Sequence, residues 1–329
     1  MPVVSVVIPV FRAEATVDEA VRSVLLQTLT DLELIVVDDG SPDASAAVAV
    51  AAAAEDSRFR LIRLPQNRGV SGARNAGFAA AVGTWIAPLD ADDHMAPERL
   101  AVLIAAADSA GCDVIVDDLL VPLEDGSVVR AFGAERMADG ERIAAARYAS
   151  YDRPYAGLST IGFAKPFFRR AFLVRSGVRY REHVYAGEDF DLVMQALLRG
   201  ADLRFADYAG YTYRRDRSTL SRERQERVRA AMLASSRELV VEARERGDAD
   251  AHAALELRER EMMRWFDFDA FDGALRRGAF GTAFVIFRRS DVKRYFLFRL
   301  AARLRYDLYL RLGISLERKR LEALTRSKT

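Results

Sequence analysis

Residues 3–10 form a short, almost wholly apolar and β-branched run around Pro9. A run of this kind without polar alternation predicts a strand buried on both faces, as in a parallel sheet. Thr16 and Glu19 then stand three apart in a capping-box pattern, and Val17, Ala20, Val21, Val24 and Leu25 follow at helical spacing. Residues 32–37 repeat the buried-strand pattern and stop at the turn formers Asp38, Asp39, Gly40, Ser41 and Pro42. Residues 44–55, nearly all alanine and valine, predict a second helix. A third strand over 60–64, a glycine loop over 67–72 leading into a helix, and a fourth strand over 85–89 complete the series. Strand and helix thus alternate four times, the pattern of a doubly wound α/β sheet. Ligands of such sheets sit beyond the carboxyl ends of the strands. The polar clusters at 9–14, 38–41 and 90–93 all fall at that edge.

From residue 113 the pattern changes. Segments 113–117, 128–131 and 163–168 predict strands of a smaller mixed sheet, and 187–198 a helix whose first turn carries Glu188 and Asp189. Beyond residue 218 the chain is helical in pattern and rich in Arg, Glu and Ala. The expected division is an α/β unit over 1–215, with halves 1–110 and 111–215, followed by a helical region over 216–329. Only a shift in composition marks that boundary.

The chain has 329 residues, enough for a sizeable core, and 49 Lys and Arg against 48 Asp and Glu. So even a balance gives no global field for a nucleic-acid partner. Cys112 is the only cysteine, which excludes an internal disulfide and a cysteine zinc site and suits a small buried side chain. The amino terminus lacks a basic signal-peptide region, and no apolar run approaches a membrane span of roughly 18 residues. These features predict a cytoplasmic protein.

Asp90, Asp92 and Asp93 place carboxylates just past a strand, a donor set suited to a hard divalent cation that leaves positions for phosphate oxygens. The plainer account is a solvated acidic turn before the helix over 97–107. Asp39 can accept hydrogen bonds from a base or ribose, or simply close a turn. Arg68 and Arg74 flank Gly69 and Gly72, so this loop can approach a phosphate closely, or can be an ordinary surface loop. Glu188 and Asp189 either serve as a base and its neighbour or favour a positive helix terminus.

Taken in order, these segments resemble family 2 glycosyltransferases of the GT-A fold, through Val4 to Phe11, Val36 to Ser41, the arginine loop and Leu89 to Asp93. Residues 187–192 are similar to that family's acidic motif at a helix start. The general cast is similar to bacterial exopolysaccharide transferases of the succinoglycan type. The resemblance implies that Pro9, Phe11 and Glu14 line a nucleotide pocket and that Asp39 meets the base, usually uracil. Arg68 or Arg74 would flank the nucleotide or diphosphate, with the choice left open. Asp90 would touch ribose or sugar, Asp92 would hold Mn²⁺ or Mg²⁺ with Asp93 beside it, and Asp189 would be the catalytic base with Glu188 adjacent. His183 is a further candidate for the metal or diphosphate.

The implied activity is inverting transfer of a single sugar from a nucleotide-diphosphate donor, UDP-linked, to a saccharide or lipid-linked saccharide hydroxyl. The motif of paired Gln and Arg followed by Trp found in processive synthases is absent after Asp189, which points to single transfers. The alternatives are a non-catalytic sugar-nucleotide binder on the same fold and a sugar nucleotidyltransferase. The second would need a Gly-rich basic loop after the first strand, and residues 9–15 lack one. A dinucleotide-dependent dehydrogenase is disfavoured because no G-x-G-x-x-G follows that strand.

Near the carboxyl end, Phe296, Leu300, Leu304, Leu308 and Leu312 recur every four residues beside Arg299, Arg303, Arg305 and Arg311. Such a basic amphipathic helix suits either the cytoplasmic face of a membrane or packing on the α/β unit or a second subunit.

Overall fold

The computed structural model describes residues 1–123, 126–132, 138–152, 161–214, 222–288 and 293. The basic helix expected over 296–312 and the boundary at 215 lie outside them. The first half alternates β1 (Val4–Val10), α1 (Val17–Leu25), β2 (Leu32–Asp38), α2 (Ser45–Ala53), β3 (Phe59–Arg63), α3 (Gly69–Ala80) and β4 (Trp85–Pro88). Next come β5 (His94–Met95), α4 (Arg99–Ala110), β6 (Val114–Pro122), β7 (Val128–Arg130) and α5 (Ala145–Tyr151). Then β8 (Phe167–Arg169), α6 (Arg170–Ser176), α7 (Glu188–Leu198) and β9 (Leu203–Thr212) complete the sheet. Among the described residues three helices follow, α8 (Arg222–Glu245), α9 (Ala249–Arg276) and α10 (Phe280–Arg288).

The strands form one sheet in the order β3-β2-β1-β4-β8-β6-β9-β5, with β7 on β6. β1 pairs in parallel with both β2 and β4, which is why its side chains are apolar on both faces rather than alternating. Past β4 the sheet turns mixed, since β8 is antiparallel to β4 and to β6, while β6 and β9 run parallel. The expected mixed doubly wound sheet is therefore present. β9 escaped the reading of the sequence because its register against β6 is broken around Asp118, which destroys the two-residue period.

Helix α3 packs against β1 with no room to spare. A Cβ at Gly77 would lie 2.3 Å from Val7 Cγ1 and 3.2 Å from Val37 Cγ2. This helix also starts earlier than the residue pattern suggests, at Gly69, whose φ of +75° a side chain would resist. Gly72 is thus in the first turn of a helix, not in a phosphate-binding loop. A Cβ there would meet the Arg68 Cβ at 2.6 Å.

The capping box does not form at α1. Thr16 makes no side-chain cap bond. Glu19 is instead 3.3 Å from His94 Nδ1 and paired with Arg214. Two other acceptors tie the loop before α1 to the start of α2. Ala13 N–H donates to Ser45 Oγ at 2.8 Å, and Ala44 N–H donates to Glu14 Oε2 at 3.0 Å.

The main core runs from the sheet into the helical region, where Leu239 and Ala243 of α8 and Leu255 of α9 join it. In α9, Phe268 and Phe271 pack with Ile286 and Phe287 of α10 as a second small cluster. No described helix is long and apolar enough to cross a membrane.

Candidate functional site

The ends of β1, β2 and β4 reach one edge because they are in parallel register, Val10 opposite Asp38 and Val7 opposite Pro88. A cleft of about 520 Å³ opens there, lined by Pro9, Phe11, Arg12, Asp39, Asp90, Asp92 and Arg214 among others. Phe11 is 44% exposed, an apolar face offered to the cleft. Asp38 closes a turn by accepting from the Ser41 N–H at 2.9 Å, while Asp39 Oδ1 accepts from the Arg68 N–H at 2.7 Å. Burial raises the Asp39 pKa, opposed by that backbone bond.

Beside the cleft lies a dense charged cluster. Arg74, 1% exposed, donates to Glu188 Oε1 at 2.9 Å and Asp189 Oδ1 at 3.0 Å and also pairs with Asp90. Lys165 Nζ is 2.8 Å from Asp90 Oδ2 and donates to Asp189 Oδ2. The Tyr180 hydroxyl donates to Asp189 Oδ1 at 3.0 Å. Burial alone would disfavour every one of these charges. Burial works against the Asp90 carboxylate, but Lys165 and Arg74 outweigh it and hold the carboxyl well below the usual range. The reciprocal balance raises the Lys165 pKa, as the charges of Asp189 and Asp90 overcome its burial. Glu188 goes the other way. Its burial and the adjacent Asp189 charge raise its pKa, with Arg74 opposing. Gly187 at φ +75° starts α7 so that both acids occupy its first turn, where the helix terminus favours negative charge.

Asp90, Asp92 and Asp93 form the acidic group expected from the sequence, with one oxygen of each within 4.8 Å of the others. They are not equivalent. Asp93 is buried and accepts from the Tyr211 hydroxyl at 2.6 Å and the Arg214 N–H at 2.8 Å. Burial and the Asp90 charge push its carboxyl up to about 7. Asp90 is occupied by Arg74 and Lys165, whereas Asp92 is exposed at the cleft. A hard cation that also takes phosphate and water oxygens fits this set, with Asp92 as the accessible ligand.

Of the other expected site residues, Glu188 and Asp189 lie outside the cleft lining, in the charged cluster beside it, and four more do not line it either. Glu14 is outside the cleft lining because its carboxylate holds the start of α2. Arg68 is paired with Glu182, and Arg74 is buried against three carboxylates, so neither side chain lines the cleft. His183 is outside the acidic group and meets Glu238 of α8 at 2.8 Å.

Reading the residues in order missed Lys165, Tyr180, Tyr211 and Arg214. Lys165 carried one usable signal, since it is the first lysine of an arginine-rich chain and the next is Lys293. Tyr211 is set by a buried pair below it. Arg99 donates to Asp117 at 2.7 Å and lies between the rings of Phe167 and Tyr211.

A sheet that turns from parallel to mixed, with an acidic turn past the end of β4, is an α/β architecture of the GT-A class. The chain matches glycosyl transferase family 2 over residues 5–168. It is 37% identical to the succinoglycan biosynthesis protein ExoO of Rhizobium meliloti over 68% of this chain and 63% of that one. It thus spans less than two thirds of that relative. With succinoglycan biosynthesis protein ExoU of the same organism it shares 32% identity over 85% of this chain and 81% of the relative. Among solved structures, S. aureus TarS 1-349 in complex with UDP-GlcNAc superposes with a TM-score of 0.59 at 21% identity. That superposition covers 74% of this chain and 66% of TarS 1-349, and it speaks to the fold. The chain belongs to glycosyl transferase family 2.

Proposed function

We propose that this protein transfers a single sugar, with inversion, from a UDP-linked donor to a hydroxyl of a saccharide or lipid-linked saccharide in bacterial polysaccharide assembly. The observation that carries the reading is the single cluster in which Lys165 and Arg74 join cleft-lining Asp90 to Asp189 of a distant segment. Family membership, the succinoglycan relatives and the UDP-GlcNAc complex of TarS support the same class of donor and product.

In this reading Pro9, Phe11 and Asp39 hold the nucleoside, and Arg12 and Arg214 supply positive charge at the mouth of the cleft. Asp92, with Asp90 and Asp93 behind it, would hold Mn²⁺ or Mg²⁺, whose chemistry is to neutralise charge on a departing diphosphate. The acceptor hydroxyl attacks the anomeric carbon opposite the leaving group, and Asp189 takes its proton. Asp189 has capacity for this. Its Oδ1 accepts from Arg74 and Tyr180, and among the described residues its Oδ2 accepts only from Lys165, which leaves that oxygen a lone pair for the proton.

The test is product analysis by mass spectrometry with a panel of UDP-sugars and either cation, repeated with Asp189→Asn. Loss of a general base lowers turnover by roughly 10²–10⁴-fold. UDP binding to the variant should persist. Failure of the wild type to consume any donor, or full turnover by the variant, would refute the proposal. A non-catalytic binder would bind UDP and be indifferent to the substitution.

A further inference from the structure

Arg258 lies on α9, in the region that composition sets apart from the sheet, yet it is 4% exposed and reaches back toward the site. Its Nε donates to Asp152 Oδ2 at 2.8 Å and its Nη1 to Ser236 Oγ at 3.3 Å. The guanidinium lies 3.7 Å from the ring centre of Phe190, the residue immediately after Asp189. Phe190 in turn stacks on Tyr148 with centroids 5.4 Å apart and planes 18° from parallel. The other oxygen of Asp152 accepts from the Gly162 N–H at 3.2 Å, in the short turn that leads into Lys165. Space there is closed, since a Cβ at Gly162 would be 2.6 Å from Asp152 Oδ1 and 3.2 Å from Phe190 Cβ.

We infer that Arg258 is a positioning residue, which fixes the Asp189 turn of α7 against the segment that delivers Lys165. It touches no reacting group. It grips Phe190 on one side and, through Asp152, the 161–163 turn on the other. Arginine suits the role because a planar guanidinium can stack on a ring and bond a carboxylate along its edge at once, which an ammonium cannot. The neighbouring contact is of the same kind. Asp191, two residues past Asp189, accepts from Ser235 Oγ of α8 and from Arg181, both at 2.8 Å. The helical region therefore acts as the back wall of the site. A misplacement of about 1 Å at a reacting group can cost roughly 100-fold in rate.

The inference rests on the proposed role of Asp189, and the experiment separates the two. Full-length wild type, Arg258→Met, Arg258→Lys and Phe190→Leu are compared for kcat and donor KM with the UDP-sugar that the wild type consumes. UDP affinity and melting temperature are measured alongside. Arg258→Met should lose about 10- to 100-fold in kcat. Its UDP affinity and donor KM should stay within about twofold of wild type, since the cleft residues are untouched. Arg258→Lys keeps the charge but not the stack and should recover part of the rate. Phe190→Leu leaves the pair with Asp152 in place and should lower kcat in the same way, which keeps the test open if Arg258→Met does not fold. A wild-type kcat in Phe190→Leu, or in a folded Arg258→Met, overturns the positioning role while leaving the transferase reading intact. Absence of transfer by the wild type from every donor sinks both.

Discussion

Replacing Lys165 with methionine tests the charged cluster most directly, because it deletes one cation while nearly preserving side-chain length. Lys165 is 5% exposed and pairs with Asp90 at 2.8 Å and with Asp189. With charge centres about 4 Å apart and an effective dielectric near 20, each pair is worth roughly 4 kcal/mol in gross attraction. The cost of burying the ammonium offsets much of that, and breaking buried pairs of this kind typically destabilises by about 3–5 kcal/mol. Arg74 and Tyr180 remain on Asp189, so the lower end of that range, about 3 kcal/mol, is expected at pH 7.5.

The pH dependence follows from the two partners. Asp90 is held below its ordinary range, so its contribution is present above about pH 4 and lost as pH falls through its folded value. Lys165 is raised, so its contribution stays complete below the ordinary lysine value. The gap between wild type and variant should therefore be level from about pH 5 to 9 and close in acid. Urea unfolding followed by the fluorescence of buried Trp85 reads this directly. A gap under about 1 kcal/mol at pH 7.5, or one that widens in acid, would refute the account of a paired, ionised cluster.

Asp93 has the opposite sign. Its carboxyl is pushed up to about 7, so metal-free wild type should lose a few kcal/mol as pH rises from about 4 through 7, a slope that Asp93→Asn should flatten in urea titrations with chelator present. Gly77→Ala should destabilise by about 1–3 kcal/mol, measured by urea unfolding, because its Cβ would overlap Val7. A neutral result there would mean that α3 shifts freely on β1. Mn²⁺ should raise the melting temperature of the unliganded chain, and Asp92→Ala should remove that rise while leaving the metal-free melting temperature near wild type.

The first half of the fold was legible because its signals are local. Continuous β-branched runs at 3–10 and 32–37 report burial on both faces, and a parallel sheet gathers the ends of such strands at one edge. The acidic turn at 90–93 and the acids at the start of α7 could be placed for the same reason. Legibility failed where a side chain could choose among distant partners. Glu19 was suited to cap α1 but pairs with Arg214, 195 positions away. By its place in the sequence Arg74 suits either a phosphate or open solvent, yet α3 packing buries it against acids from the turn after β4 and from α7. Lys165 lies 24 positions before Asp189 and Arg258 lies 106 after Asp152, spacings with no periodic signature. Apolar spacing records which faces leave water, and that much is written along the chain. Which cation neutralises which carboxylate depends on the surfaces that are desolvated together, and only the packed chain determines them.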